Sequence, residues 1–184
     1  MRITLSLMIS NIIIFIVQLV YLPFTRLFAL VPALALKGAF WQFITYMFLH
    51  GDLLHLLINM MGLLIFGAVV ERTLGEERFI MLYFLSGIGS ALFHIMLTGV
   101  SDVSLLGASG AVFGVLTAFA FLYPDIKLIV IPIPYPISAK YVVLGFVLFS
   151  LFMGFTNVFG DNIAYFGHVG GVITGLIVCL LYTS

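Results

Sequence analysis

Gly167-His168-Val169-Gly170-Gly171-Val172-Ile173-Thr174-Gly175-Leu176-Ile177-Val178-Cys179-Leu180-Leu181-Tyr182 contains one histidine and no charged residue. A spanning helix needs roughly 20 apolar residues, and the stretch 165–183 supplies them. Earlier in the chain, Gly107-Ala108-Ser109-Gly110 opens a comparable apolar stretch, 108–123. A lone serine and a lone histidine therefore stand among residues expected to face lipid or pack together. An intramembrane ionisable residue is a functional-site hypothesis by default. The glycines around both strings allow helices to approach closely. Together these features point to a serine–histidine pair inside a membrane and to hydrolysis of a peptide bond where water is scarce.

Composition agrees with a membrane setting. The 184 residues are 64% hydrophobic and 8% charged, against roughly 25% charged in soluble domains. The expected fold class is an all-α integral membrane protein. Seven basic and seven acidic residues cancel, so no basic face calls for nucleic acid as a partner. The single cysteine, Cys179, offers no disulfide framework and reads as a small apolar filler. The apolar run from Ile3 to Leu22 behind Arg2 is longer than the roughly 7–15 residues of a signal-peptide core. The small residues Ala33-Leu34-Ala35 lie far beyond it, so the run reads as a retained first span.

Six spans are expected, at about 4–24, 52–71, 78–99, 108–123, 139–158 and 165–183, within a single membrane domain covering 1–184. Glu71-Arg72-Thr73-Leu74-Gly75-Glu76-Glu77-Arg78 forms a charged turn between the second and third. Tyr123-Pro124-Asp125 with Pro132, Pro134 and Pro136 makes a break that no continuous helix tolerates. Gly160-Asp161-Asn162 separates the last two spans. The stretch 23–51 is too long for a hairpin and too apolar for a solvated loop. Its Trp41 and Tyr46 favour an interface, so short helices lying in or on one leaflet are expected there. Arg2, Arg72, Arg78, Lys127 and Lys140 fall on one side and only Arg26 and Lys37 on the other. By the positive-inside rule both termini are cytoplasmic and the long, partly embedded first loop is external.

This orientation places Ser109 and His168 at matching depth near the external face. His50-x4-His55-x3-Asn59 brings further polar groups to the top of the second span, with His55 and Asn59 on one helix face. Ser109 is the candidate nucleophile and His168 its general base. His55, Asn59 and the Ser109 backbone N–H are candidate oxyanion donors. All seven carboxylates fall in loops or at span ends, so a dyad is expected in place of a triad. Phe113, one turn below Ser109, is expected to stack on His168. Gly167, Gly171 and Gly175 form a smooth face that would bring His168 against the fourth span. His94 is expected to be structural or interfacial. No cluster of ligand-type residues argues for a metal or an organic cofactor.

These strings, with Trp41-Gln42, Glu71-Arg72 and Gly75, resemble the rhomboid family of intramembrane serine proteases in order and in placement. The resemblance covers nearly the whole chain and is closest to the six-span bacterial form. It implies an inner (plasma) membrane location and cleavage of membrane-spanning protein substrates near the external face. It implies the same roles for Ser109, His168, His55 and Asn59, with His50 in support and Gly107 and Gly171 in the surrounding motifs. The fifth span and the loop before the sixth would border the path by which substrates arrive. Many members carry arginine where this chain has Gln42 and tyrosine where it has Phe113. A polar cavity lined by His50, His55, Asn59, Ser109 and His168 is expected between the second, fourth and sixth spans, with irregular backbone from Leu105 to Ser109 beside it. Two other functions fit a polar site among apolar helices. One is a catalytically silent protein that binds unstable membrane helices. The other is a small transporter using the histidines as a proton relay. Oligomeric state is left open.

Overall fold

A computed structural model describes residues 1–21, 23–130, 133–156 and 164–183. Apolar runs dominate, and the backbone satisfies its own hydrogen bonds in helices, as a lipid environment demands. Helix α1 spans Arg2–Val20 and is followed by three short helices, α2 (Pro23–Phe28), α3 (Pro32–Ala35) and α4 (Gln42–Thr45). A 3-10 turn, Tyr46–Phe48, leads to α5 (Leu53–Gly62). A π-helical turn at Leu63–Gly67 joins α5 to α6 (Ala68–Leu74), so that 53–74 forms one rod. Then come α7 (Glu76–Thr98), α8 (Ser109–Leu122), α9 (Ala139–Thr156) and α10 (Tyr165–Thr183).

Among the described residues, five helical segments are long and apolar enough to cross a membrane: Arg2–Val20, Leu53–Leu74, Glu76–Thr98, Ala139–Thr156 and Tyr165–Thr183. The protein is a multi-pass, helical membrane protein. The stretch expected as a fourth span is shorter than the rest. Helix α8 has 14 residues, about 21 Å at 1.5 Å per residue, against a hydrocarbon core of ~30 Å. It runs from Ser109 to Leu122, within one residue at each end of the stretch 108–123 expected from the sequence. The first span ends at Val20 instead of 24, because Pro23 starts a separate helix. The Gly160-Asp161-Asn162 break, Pro132 and the last two residues of the expected fifth span lie outside the described residues.

The 23–51 stretch forms the short helices α2, α3 and α4 and a 3-10 turn. Gln42 holds them together. It is 2% exposed, its Oε1 accepts from Val31 N at 3.0 Å and its amide donates to Leu27 O at 3.4 Å. Trp41 Nε1 also donates to Leu27 O, and the Thr45 hydroxyl donates to Phe28 O. On the opposite end of the bundle, buried Glu71 accepts from Ile3 N, Thr4 N and the Thr4 hydroxyl at 3.1, 2.8 and 2.6 Å. It thereby caps the free N–H groups at the start of α1. The proline-rich break holds a two-residue antiparallel ribbon, β1 (Lys127–Leu128) against β2 (Ile137–Ser138), with Lys127 opposite Ser138.

Helix α8 is the centre of the bundle, with nine of its residues buried. Helices α7 and α10 pack on it and on each other through small residues. A Cβ on Gly110 or Gly114 would run into Ser90 or Ser86 of α7, and one on Gly171 into the Gly110 carbonyl. Contact at this range draws three backbones together, the packing expected where helix association has no hydrophobic drive.

Candidate active site

The approach to Ser109 is irregular backbone with its polar groups paired. Leu30 and Leu105 exchange both backbone hydrogen bonds, at 3.0 and 2.7 Å. Ala33 N donates to Ser101 O, and Gly107 N to Tyr46 O. The first loop therefore supplies the partners that a non-helical segment needs when buried. Gly107 follows with φ +127°, a conformation that L side chains rarely adopt. This turn delivers Ser109 as the first residue of α8, where the leading N–H groups have no intrahelical acceptor and the helix dipole favours negative charge.

Ser109 Oγ and His168 Nε2 are 3.0 Å apart, joined across helices by residues 59 positions apart in sequence. The imidazole is held from below by Phe113, with ring centroids 4.6 Å apart and planes tilted by 32°. Phe146 of α9 packs edge-on against Phe113 at 5.4 Å, and Tyr165 lies edge-on to His168 at 6.2 Å. Gly110 is next to Ser109 and Gly171 is one turn from His168. Their close contact therefore sets the distance between hydroxyl and imidazole.

On the other side of Ser109 stands α5. Asp52 caps it by accepting from His55 N at 2.8 Å, as a helix-start aspartate does, and so fixes where His55 emerges. The His55 ring lies against Gly107. A Cβ there would be 2.8 Å from both Cε1 and Nε2. Its Nδ1 accepts from Gly51 N at 3.4 Å. Asn59 is buried and donates to His55 O at 2.9 Å. The His50 ring is 2% exposed and meets the His55 ring edge-on at 5.1 Å. The His50 backbone is tied to Gln18 of α1 in both directions. Among the described residues no hydrogen bond joins His50, His55 or Asn59 directly to Ser109 or His168.

A small cavity adjoins Ser109 and His168, and its wall includes Tyr46, Ser90, His94, Leu105, Gly110 and Gly167. It opens between α7, α8 and α10, and His50, His55 and Asn59 are not in its wall. Gly107 lines this cavity on one face and packs on the His55 ring on another. His94, read from sequence as structural or interfacial, is part of this wall. The signal that could have found it is the spacing Ser86, Ser90, His94, which puts polar groups on one face of an apolar helix. Among the described residues no group of three or more histidine, cysteine or acidic side chains could hold a metal.

Comparison with known proteins follows the same lines. The Rhomboid domain family matches residues 37–184. The chain is 33% identical over 134 residues to Rhomboid protein 1, mitochondrial, of Saccharomyces cerevisiae, a match covering 71% of this chain and 38% of that protein. It is 29% identical over 168 residues to Rhomboid protease AarA of Providencia stuartii, covering 81% and 58%. With Rhomboid protease GlpG of Haemophilus influenzae it shares 30% over 138 residues, covering 74% and 67%. The match thus spans less than two thirds of the first two relatives' own length.

Proposed function

Because this chain belongs to the rhomboid family, we propose that it is an intramembrane serine endopeptidase that cleaves membrane-spanning protein substrates through a Ser109–His168 dyad. The observation that carries this reading is the 3.0 Å contact between Ser109 Oγ and His168 Nε2. A serine hydroxyl is a weak nucleophile until a base in hydrogen-bond reach takes its proton.

In the proposed reaction the neutral imidazole, with its proton on Nδ1, accepts the hydroxyl proton at Nε2 while Oγ attacks the scissile carbonyl. The tetrahedral oxyanion is held by the Ser109 N–H at the start of α8, with His55 and Asn59 as further donors. Preorganised donors of this kind are worth about 2.7–4 kcal/mol each. His168 then returns its proton to the leaving amine. Water then attacks the ester carbonyl as His168 takes its proton, and His168 passes that proton to Ser109 Oγ as the acyl group leaves as a carboxylic acid. Phe113 keeps the ring in register, a task that the carboxylate performs as the third member of a triad.

The proposal includes the topology. Six spans, with α8 as a short fourth, put both termini on the cytoplasmic side by the distribution of arginine and lysine. The first loop and the Ser109 end of α8 then face outward, and the cut falls near the external surface of an inner (plasma) membrane. A substrate helix must unwind locally to expose a peptide bond, which favours helix ends.

The test is labelling of the detergent-solubilised protein with a fluorophosphonate probe, the adduct being mapped by mass spectrometry. An adduct on Ser109, lost in Ser109→Ala and slowed about 10²–10⁴-fold in His168→Ala, supports the reading. Absence of any adduct while a control serine hydrolase labels in the same detergent would sink it, in favour of a silent helix-binding protein.

A further inference from the structure

The ribbon between α8 and α9 carries apolar side chains that no helix covers. Ile129 is 75% exposed and Tyr135 73%, and Ile126 and Ile133 are exposed as well. On a spanning helix such exposure is ordinary, because lipid is the solvent there. The ribbon belongs to no span, and an exposed apolar patch outside the spans marks contact with a protein or a membrane.

Its position favours the membrane. The ribbon leaves α8 at Leu122, the end away from Ser109. The α5–α6 rod, Leu53–Leu74, has 22 residues and α8 has 14, so the rod runs about 33 Å and α8 about 21 Å. Both begin beside the Gly107 turn, with His55 packed on it and Ser109 just after it. The chain beyond Leu122 therefore starts short of the rod's far end, and the Tyr123 hydroxyl meets that of Thr73 at 2.8 Å. That level is the boundary between acyl chains and headgroups.

Backbone at this depth must have its polar groups paired, and the ribbon meets that demand. Lys127 stands opposite Ser138 and Leu128 opposite Ile137. Beyond them Ala139 N donates to Ile126 O at 2.9 Å and Lys140 N to Pro124 O at 3.3 Å. Pro134 and Pro136 have no N–H to satisfy. Leu128 packs against the core, while Lys127 is exposed and its Nζ donates to the Ser138 hydroxyl at 2.8 Å. Lys140 is matched by Asp125 at 2.7 Å, but Lys127 makes no ion pair among the described residues. An unmatched cation beside apolar side chains complements a phosphate above acyl chains.

We propose that the ribbon is a phospholipid-binding surface: Ile126, Ile129, Ile133 and Tyr135 lie among the upper acyl chains of the leaflet at the Leu122 end of α8, and Lys127 contacts a lipid phosphate. Tyrosine favours this boundary, and a segment so placed reaches about 5–10 Å into it. The contact is independent of the chemistry at Ser109.

Tryptophan fluorescence in vesicles of phosphatidylcholine and phosphatidylglycerol tests this. Trp41 is the single native tryptophan, so Tyr135→Trp in a Trp41→Phe background places one reporter on the ribbon. The acyl chains carry bromine near either the carbonyl end or the methyl end. The reporter is expected to lose about half its emission to the shallow bromines, which match the depth of an interfacial segment. It should lose clearly less to the deep ones and be sheltered from aqueous acrylamide. Ile129→Trp in the same background gives the same reading should Tyr135→Trp fail to fold. Full acrylamide quenching without any effect of bromine would place the ribbon in water and overturn the proposal. Stronger quenching by the deep bromines would overturn it too. So would shelter from both quenchers, which would mean that protein, such as a second copy of the chain, covers the ribbon. Adding Lys127→Glu puts a carboxylate where the phosphate would sit and is expected to weaken the shallow quenching. Unchanged quenching there would overturn the phosphate contact.

Discussion

Gly107 and His55 are in contact at a distance that no larger residue permits. A Cβ at position 107 would stand 2.8 Å from two atoms of the His55 ring, and the backbone there has φ +127°. The turn that launches α8 is therefore shaped by α5, although 52 positions separate the two residues in the chain. Gly107→Ala combines backbone strain of about 1–3 kcal/mol with displacement of the His55 ring. The rate of fluorophosphonate labelling at Ser109 is expected to fall at least about tenfold while the helical circular dichroism stays unchanged. A labelling rate equal to wild type would show that the turn does not position the serine.

Phe113 supports His168 through ring contact alone. Aromatic pairs contribute about 0.5–1.5 kcal/mol beyond area burial, so Phe113→Ala is expected to slow labelling by roughly 2–10-fold. Phe113→Tyr keeps the ring and is expected to retain the wild-type rate. If the tyrosine variant were as slow as the alanine one, stacking would not be the relevant contact.

Gly171 meets backbone at Gly110, including the carbonyl oxygen and Cα, and backbone cannot rotate aside. Gly171→Ala forces α10 away from α8, at an overpacking cost of about 1–3 kcal/mol. Because His168 rides on α10, a shift of about 1 Å is expected to cost about 10²-fold in reactivity. Ile173→Ala, on the exposed face of the same helix, serves as the control and should label normally.

Gln42 is the brace of the first loop. Its removal in Gln42→Ala leaves Val31 N without an acceptor, an expected loss of about 1–3 kcal/mol. Thermal unfolding in detergent should shift down accordingly. Hydrogen exchange should quicken at the Leu30 and Leu105 amides, which pair just beyond the brace. Unchanged protection there would separate the brace from the serine approach.

Much of the candidate site was legible in the chain because polar residues are conspicuous in an apolar sequence. Ser109 and His168 could be singled out by their glycine-rich surroundings, and His55 and Asn59 by helical spacing. The role of Gln42 was not, since a glutamine after Trp41 says nothing about which backbone groups it will meet. Glu71 likewise reads as the end of a span, yet its carboxylate receives the first turn of α1, 67 positions away. His94 reads as structural or interfacial, and nothing in its surroundings along α7 shows that it stands in a cavity wall with Ser109 and His168.

By itself the sequence determined that this is a helical, multi-pass membrane protein with a serine and a histidine set among its spans. Lipid leaves the backbone little choice but helices, and hydrophobic length marks where they run. The tertiary structure decided how closely α7, α8 and α10 approach one another and which residues stand in the cavity wall beside Ser109. Those outcomes depend on three-dimensional fit between small residues on α7, α8 and α10, and no periodicity along one helix records the shape of its neighbours.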